Sequence, residues 1–124
     1  MHVVDIGSPG VGPEGFTIAP NGKWAASPLL EGSTAKDSDW FKTAGGELAL
    51  MSVGPTGKLT VTGKAKIGAI PEGIAFSPDS KYIFVGNYRD SDLQVFRIAN
   101  GKPVQVGPNI ELPGQPASMR GPAR

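Results

Sequence analysis

The clearest pattern of apolar and polar positions lies in the second half of the chain. Between Gly73 and Ser77, Ile74 and Phe76 alternate with small residues, the spacing of a strand with one buried face. Ser77-Pro78-Asp79-Ser80 then reads as a turn, with Pro78 fixing φ at the second position of a type I geometry. Lys81–Asn87 carries the unbroken apolar run Tyr82-Ile83-Phe84-Val85, which predicts a strand covered on both faces. A polar turn over Asn87–Asp92 leads to a third strand at Leu93–Ile98 and a tight turn at Asn100-Gly101. A fourth strand begins at Val104–Val106 and is closed off by Pro113-Gly114. Four short strands joined by turns predict an antiparallel meander over 71–115.

The same order occurs once before. Pro13-Glu14-Gly15-Phe16-Thr17-Ile18-Ala19-Pro20-Asn21-Gly22-Lys23-Trp24 recurs 58 positions on as Pro71-Glu72-Gly73-Ile74-Ala75-Phe76-Ser77-Pro78-Asp79-Ser80-Lys81-Tyr82. Glu47–Val53 recurs 45 positions on as Asp92–Ile98, so the first copy carries 13 more residues between its second and third strands. A repeated four-stranded meander is one blade of a β-propeller. The expectation is therefore all-β: a β-propeller segment of about two four-stranded antiparallel blades, with partial strands at each end. Its divisions are an orphan strand in 1–12 (Met1–Ile6 matching a third strand), a first blade over 13–70 with an insertion at 27–46, a second blade over 71–115, and a truncated start of a third copy over 116–124, at Pro116-Ala117-Ser118-Met119. A β-sandwich is the alternative, although its strands need not recur with the same turn chemistry. In the first copy Ala26-Ser27-Pro28-Leu29 replaces the long apolar run, which predicts a shorter second strand with Pro28 at an edge or an end.

Phe84-Val85-Gly86-Asn87, following Pro71-Glu72-Gly73-Ile74-Ala75-Phe76-Ser77-Pro78-Asp79, resembles the repeat of the YVTN/lactonase-like β-propellers. The likeness covers 71–107 well and 13–62 more loosely. It implies the C-terminal third of a seven-bladed ring and, for activity, a hydrolase of the lactonase type. No histidine or arginine motif of such an active site maps onto these positions.

Composition narrows the classes of function. Hydrophobic residues are 39% of the chain while Gly 18 and Pro 12 are abundant, which suits many short strands between tight turns. Net charge is +1, from 12 basic and 11 acidic residues with no basic stripe, which argues against nucleic-acid and membrane partners. Without cysteine there is no disulfide, thiolate nucleophile or zinc–thiolate site. Met1-His2-Val3-Val4-Asp5 lacks the pattern of a signal peptide, so a complete chain would be cytoplasmic.

Candidate chemistry gathers at one end of the predicted blades. In an up-and-down blade, the loop leading into strand one and the loop joining strands two and three share an end. That places Glu14, Glu72, the 27–46 insertion and the Asn87–Asp92 turn together, at the mouth of a propeller's central channel. Glu14 and Glu72 hold equivalent positions and have the chemistry of metal ligands or an acid–base pair, yet a turn needed by both blades explains their recurrence equally well. Asp37, Asp39 and Trp40, with Lys36 and Phe41, form an aromatic pair beside two acids, suited to a ligand pocket, a partner contact or the anchoring of a long loop. Asn87 and Arg89 belong to the second blade's polar turn. Asp90-Ser91-Asp92 with Asn87 invites a calcium reading, but the spacing fits a hairpin turn better. His2 is the single histidine and has no nucleophile pattern beside it, which leaves no basis for a Ser-His-Asp triad. Lys58, Lys64 and Lys66 read as charges guarding an exposed strand.

The expected function is a non-catalytic propeller scaffold for ligand binding or protein interaction, without metal or cofactor. It would be completed by self-association into a homo-oligomer, a dimer or trimer, with a small molecule at the channel mouth. A lactonase-type hydrolase, or a fragment of a longer propeller with no activity of its own, are the alternatives.

Overall fold

A computed structural model describes residues 2–3 and 5–121, and every regular element among them is a strand. The first antiparallel sheet runs in the order β1 (Thr17–Ile18), β2 (Trp24–Leu29), β3 (Glu47–Val53) and β4 (Leu59–Lys66). The second runs β5 (Pro71–Phe76), β6 (Tyr82–Asn87), β7 (Asp92–Ala99) and β8 (Lys102–Gln105), with a short β9 (Ile110–Glu111) added beside β7. The innermost strands β1 and β5 lie side by side, as do the outermost β4 and β8, so the sheets stack as two blades.

Both repeat offsets survive in the pairing registers. Thr17 faces Ala26 and Ala26 faces Leu50 in the first sheet; Ala75 faces Phe84 and Phe84 faces Val95 in the second. The turn chemistry repeats too. Ser80 N and Gly22 N each donate to the carbonyl three residues back, Ser77 and Ala19, and both residues take a left-handed φ, 62° and 68°. Ser77 Oγ donates to Asp79 Oδ1 at 2.6 Å and accepts from Tyr82 N at 2.9 Å, so the side chains of the turn supply its partners. Ser80 Oγ also accepts from Asn21 N at 3.0 Å, tying the two turns together across the blades.

Strand alternation decides what the sheets share. Ala26, Leu48 and Leu50 of the first sheet meet Ile74, Phe76, Ile83, Val85 and Phe96 of the second in one buried cluster, with Trp24, Ala65 and Ile98 packed at its margin. Phe76, Ile83 and Val85 are thus the buried centre of the second blade, as their sequence pattern predicts. Phe84, Leu93 and Val95 face the other way and are half-buried.

Several expectations need correction. β2 is six residues long, the same as β6, and Pro28 pairs within it opposite Leu48. The nitrogen and carbonyl of one strand residue point to the same side, and the Pro28 carbonyl accepts from Glu14 N, so its missing N–H faces the segment before β1. No bond to β3 is lost there. Ser27 Oγ donates to the Gly15 carbonyl at 2.7 Å on that same seam. The insertion accordingly begins after Leu29, leaving Ser27 and Pro28 in the strand. Among the described residues of 1–12 no strand forms; Met1 and Val4 lie outside them, and the pairing there amounts to a bridge from Pro13 to Leu29 and the Gly12 and Val11 carbonyls accepting from Leu30 N and Glu31 N. Residues 116–121 form no strand either, and Pro116 and Met119 rest on Gly86 and Gly73 of the second sheet; 122–124 lie outside the described residues. Asn87 and Asp92 are strand residues, the turn between them being Tyr88–Ser91.

Candidate ligand-binding face

The loop 67–70 joins the two blades and is tied to both. On the first-blade side, Gly46 N donates to the Gly68 carbonyl, Ile67 N to the Gly46 carbonyl, and Ile70 N to Ser33 Oγ at 3.2 Å. On the second-blade side, Gly68 N donates to Gln94 Oε1 at 2.9 Å and Ala69 N to Asp90 Oδ2 at 2.7 Å. Tyr88 N and Arg89 N donate to the carbonyls of Ile70 and Ala69. Ile70, β-branched, is held at φ 51°, a conformation that costs about 1–2 kcal/mol and persists only under such constraint.

Below this loop the interface between the blades turns from apolar to polar. Asn87 Nδ2 donates to Asp92 Oδ1 at 2.7 Å and to Gln94 Oε1 at 2.8 Å. Gln94 Nε2 donates to Gln105 Oε1 at 3.0 Å, Gln105 Nε2 to Asn109 Oδ1 at 2.8 Å, and Asn109 Nδ2 to Asp92 Oδ2 at 2.7 Å. Five side chains thereby close a ring of hydrogen bonds. Both Asp92 oxygens are occupied by amide donors, which explains Asp92 and Asn87 as structural partners of each other. Asn87 Oδ1 stays buried without a hydrogen-bond partner.

The 30–46 loop is knit by its own backbone and by short side chains. Ser33 is fully buried, Gly32 N donates to Thr43 Oγ1 at 3.0 Å, and Thr43 Oγ1 donates to the Gly45 carbonyl at 2.8 Å. Asp39 Oδ2 accepts from Lys36 N at 2.9 Å, while Lys42 Nζ lies 3.4 Å from Asp37 and donates to the Ala35 carbonyl at 2.8 Å. Trp40 is 94% exposed, and its ring meets Phe41 edge-on at 5.6 Å and 81°. The aromatic pair does not anchor the loop; Ser33 and Thr43 do.

The other candidates separate. Glu14 is exposed and lines a cleft of about 600 Å³ on the outer face of the first sheet, with Phe16, Met51, Lys58, Leu59 and Val61. Glu72 sits half-buried where the β5–β6 register shifts, and does not line that cleft. Arg89 is exposed at the tip of the β6–β7 turn, near the Trp40 end of the blades by topology. No group of three or more His, Cys, Asp or Glu among the described residues could hold a metal ion. Lys64 and Lys66 do more than guard an exposed strand: they reach across to Glu47 at 3.2 and 2.9 Å, and these bonds, Lys66 first, hold the Glu47 carboxyl below its ordinary range. Gln94, Gln105, Asn109, Ser33 and Ile70 went unread in the sequence. Gln105 and Asn109 belong to no motif, and only the pairing of β9 with β7 brings that stretch to Asp92.

Comparison with known proteins agrees with this architecture. The model of the family described as "Lactonase, 7-bladed beta-propeller" matches residues 34–120. Similar solved structures include a candidate 6-phosphogluconolactonase of Bacteroides fragilis (TM-score 0.69, 19% identity, covering 86% of this chain and 27% of that one). Another, from Bacteroides uniformis, has a TM-score of 0.65 and 18% identity, covering 82% and 27%. Hydrazine synthase of Kuenenia stuttgartiensis, at TM-score 0.64 and 20% identity, covers 88% and 26%. No curated protein matches the sequence. The chain spans about a quarter of the length of these solved structures. With its repeat, registers and blade stacking in accord with that match, the chain belongs to the lactonase family of seven-bladed β-propellers.

Proposed function

We propose that this chain is a binding unit of a lactonase-type propeller, which presents the 30–46 loop and the Tyr88–Ser91 turn to a small molecule at one end of its blades. Trp40 carries the reading. Leaving a large aromatic side chain in water forgoes on the order of 2 kcal/mol, and a loop bonded this closely to itself has already lost the freedom that binding would otherwise cost. A rigid, solvent-facing aromatic is the usual anchor of a binding surface. Asp37 and Lys36 supply polar groups on the same loop, Arg89 stands on the turn at the same end of the blades by topology, and Glu72 lies at the start of β5.

The family match favours a second reading, a hydrolase acting on sugar lactones. One experiment separates the two. A panel of sugar lactones is titrated into the Trp24→Phe protein, in which Trp40 is the remaining tryptophan, while hydrolysis is followed with and without divalent metal. A saturable change in Trp40 emission without turnover supports the binding unit. Turnover above the spontaneous rate supports the hydrolase. Unchanged emission and no turnover across the panel would remove the small-molecule reading.

A further inference from the structure

We infer that Ile70 is a positioning residue of the proposed binding face: its left-handed backbone holds the 30–46 loop of the first blade and the Tyr88–Ser91 turn of the second in one arrangement, and releases both together.

Ile70 joins the two elements through its own backbone groups. Its N–H donates to Ser33 Oγ at 3.2 Å, and its carbonyl accepts from Tyr88 N at 2.9 Å. A strand residue points both groups to one side. At Ile70, with φ 51°, the nitrogen is bonded towards the first blade and the carbonyl towards the second. The loop has no substitute for this tie. Among the described residues, the bond to Ser33 is the one hydrogen bond that runs from 32–45 to a residue outside the loop; the rest of that stretch bonds within 30–46. Ser33 is fully buried, so water does not stand in for its hydroxyl. On the other side Ala69 strengthens the grip on the turn, its carbonyl accepting from Arg89 N at 3.2 Å and its nitrogen donating to Asp90 Oδ2 at 2.7 Å.

Strain makes the connection all-or-none. A β-branched residue at positive φ carries a cost that persists only where surrounding bonds impose it. Ile70 also precedes Pro71, whose ring favours extended backbone in the residue before it. With either bond gone, the remaining one no longer offsets that cost, so Ile70 returns to negative φ and drops the other. The linker therefore has two arrangements, engaged and released, and the loop and the turn bias the same one. Such coupling acts equally in both directions. For a ligand that meets Trp40 on the loop and Arg89 on the turn, the engaged linker fixes their relation before binding, which lowers the cost of ordering them. The inference rests on the proposed function for that ligand alone; its test uses none, so the two fail separately.

Hydrogen exchange of backbone amides, followed by nuclear magnetic resonance on the full chain, tests the coupling. Ser33→Ala is expected to speed exchange of Tyr88 N and Arg89 N, on the other blade, on the order of tenfold relative to Ile83 and Val85, which report opening of the whole sheet. Asp90→Ala, a change at an exposed side chain, is expected to speed exchange of Gly32 N and Thr43 N on the loop. Ile70→Gly removes the cost of a positive φ. On that background Ser33→Ala is expected to leave Tyr88 and Arg89 at the parent's rate, an outcome that a merely structural serine would not give. Tyr88 and Arg89 quickening no more than Ile83 and Val85 in Ser33→Ala would overturn the inference. So would an effect of Ser33→Ala that is the same size in the Ile70→Gly background. If Ser33→Ala does not fold, Asp90→Ala decides alone, and loop amides exchanging at the wild-type rate would overturn it.

Discussion

Gly68 lies directly against Asn87: a β-carbon at residue 68 would come within 2.6 Å of Asn87 Cγ and 2.7 Å of its Nδ2. The amide cannot step aside, because its nitrogen is bonded to both Asp92 and Gln94. The glycine therefore does not serve a turn; it lets the linker between the blades come close enough for Gly68 N to reach Gln94. Gly68→Ala is expected to cost about 1–3 kcal/mol through this overpacking. Urea denaturation checks it, as a lowered midpoint with an unchanged slope. A midpoint equal to the wild type's would mean that the ring of amides is not rigid.

The two faces of the second sheet should respond differently to truncation. Phe76 is 3% exposed within the cluster between the blades, so Phe76→Ala should lose about 3–5 kcal/mol. Phe84→Ala, on the half-buried outer face, should cost clearly less. Glu72→Ala should stay within about 1 kcal/mol if its place is a strand position without a ligand. Comparable losses for the two phenylalanines would show that the outer face is filled as tightly as the inner one.

Acid should weaken the fold through two carboxylates of different character. Asp79 is held below its ordinary value of 3.8, chiefly by the Ser77 hydroxyl and then by Lys81 N. Glu47 is held below 4.5 by its bonds to Lys66 and Lys64. A lowered folded-state value means that the stabilisation is present above the unfolded-state value and is lost as pH falls through the folded one. Thermal midpoints should thus fall as pH drops below about 4.5, and less steeply in Asp79→Asn and Glu47→Gln. High salt should screen most of the Glu47 part, a pair open to solvent, and leave the short Ser77–Asp79 hydrogen bond in place. A pH profile identical in all three proteins would contradict the assignment.

The sequence by itself determined the blades. Two copies of a Pro-Glu-Gly strand start, a turn that tolerates a left-handed residue and strands alternating in burial are local properties. They appear in the structure at the same offsets, down to the facing of Ala26 with Leu50 and Phe84 with Val95, although the first Pro-Glu-Gly leads only to a bridge at Pro13 and the two-residue β1. Local rules also misled where a residue's partners lie far away. Pro28 looked like a strand breaker, yet its missing donor points to the sparsely paired side of β2. Residues 1–12 carry a strand's composition, but a strand needs a continuous run of backbone partners, and among the described residues the pairing with the end of β2 stops at the Gly12 and Val11 carbonyls, which accept from Leu30 N and Glu31 N.

Only the tertiary structure decided which polar residues are spent on bracing the second blade and its linker and which are left to meet a ligand. Asn87, Asp92, Gln94, Gln105 and Asn109 are spread over 23 positions, and their ring exists because β9 folds back beside β7. In sequence Asn87 and Arg89 look alike as members of one polar turn. In space the first is buried on the inner face of its sheet and the second is exposed at the tip, because strand alternation and the packing of the first blade treat neighbouring positions in opposite ways. Trp40 differs from Trp24 for the same reason. Both are large aromatics, but one lies on a strand facing the next blade and the other on a loop whose bonds are complete without it.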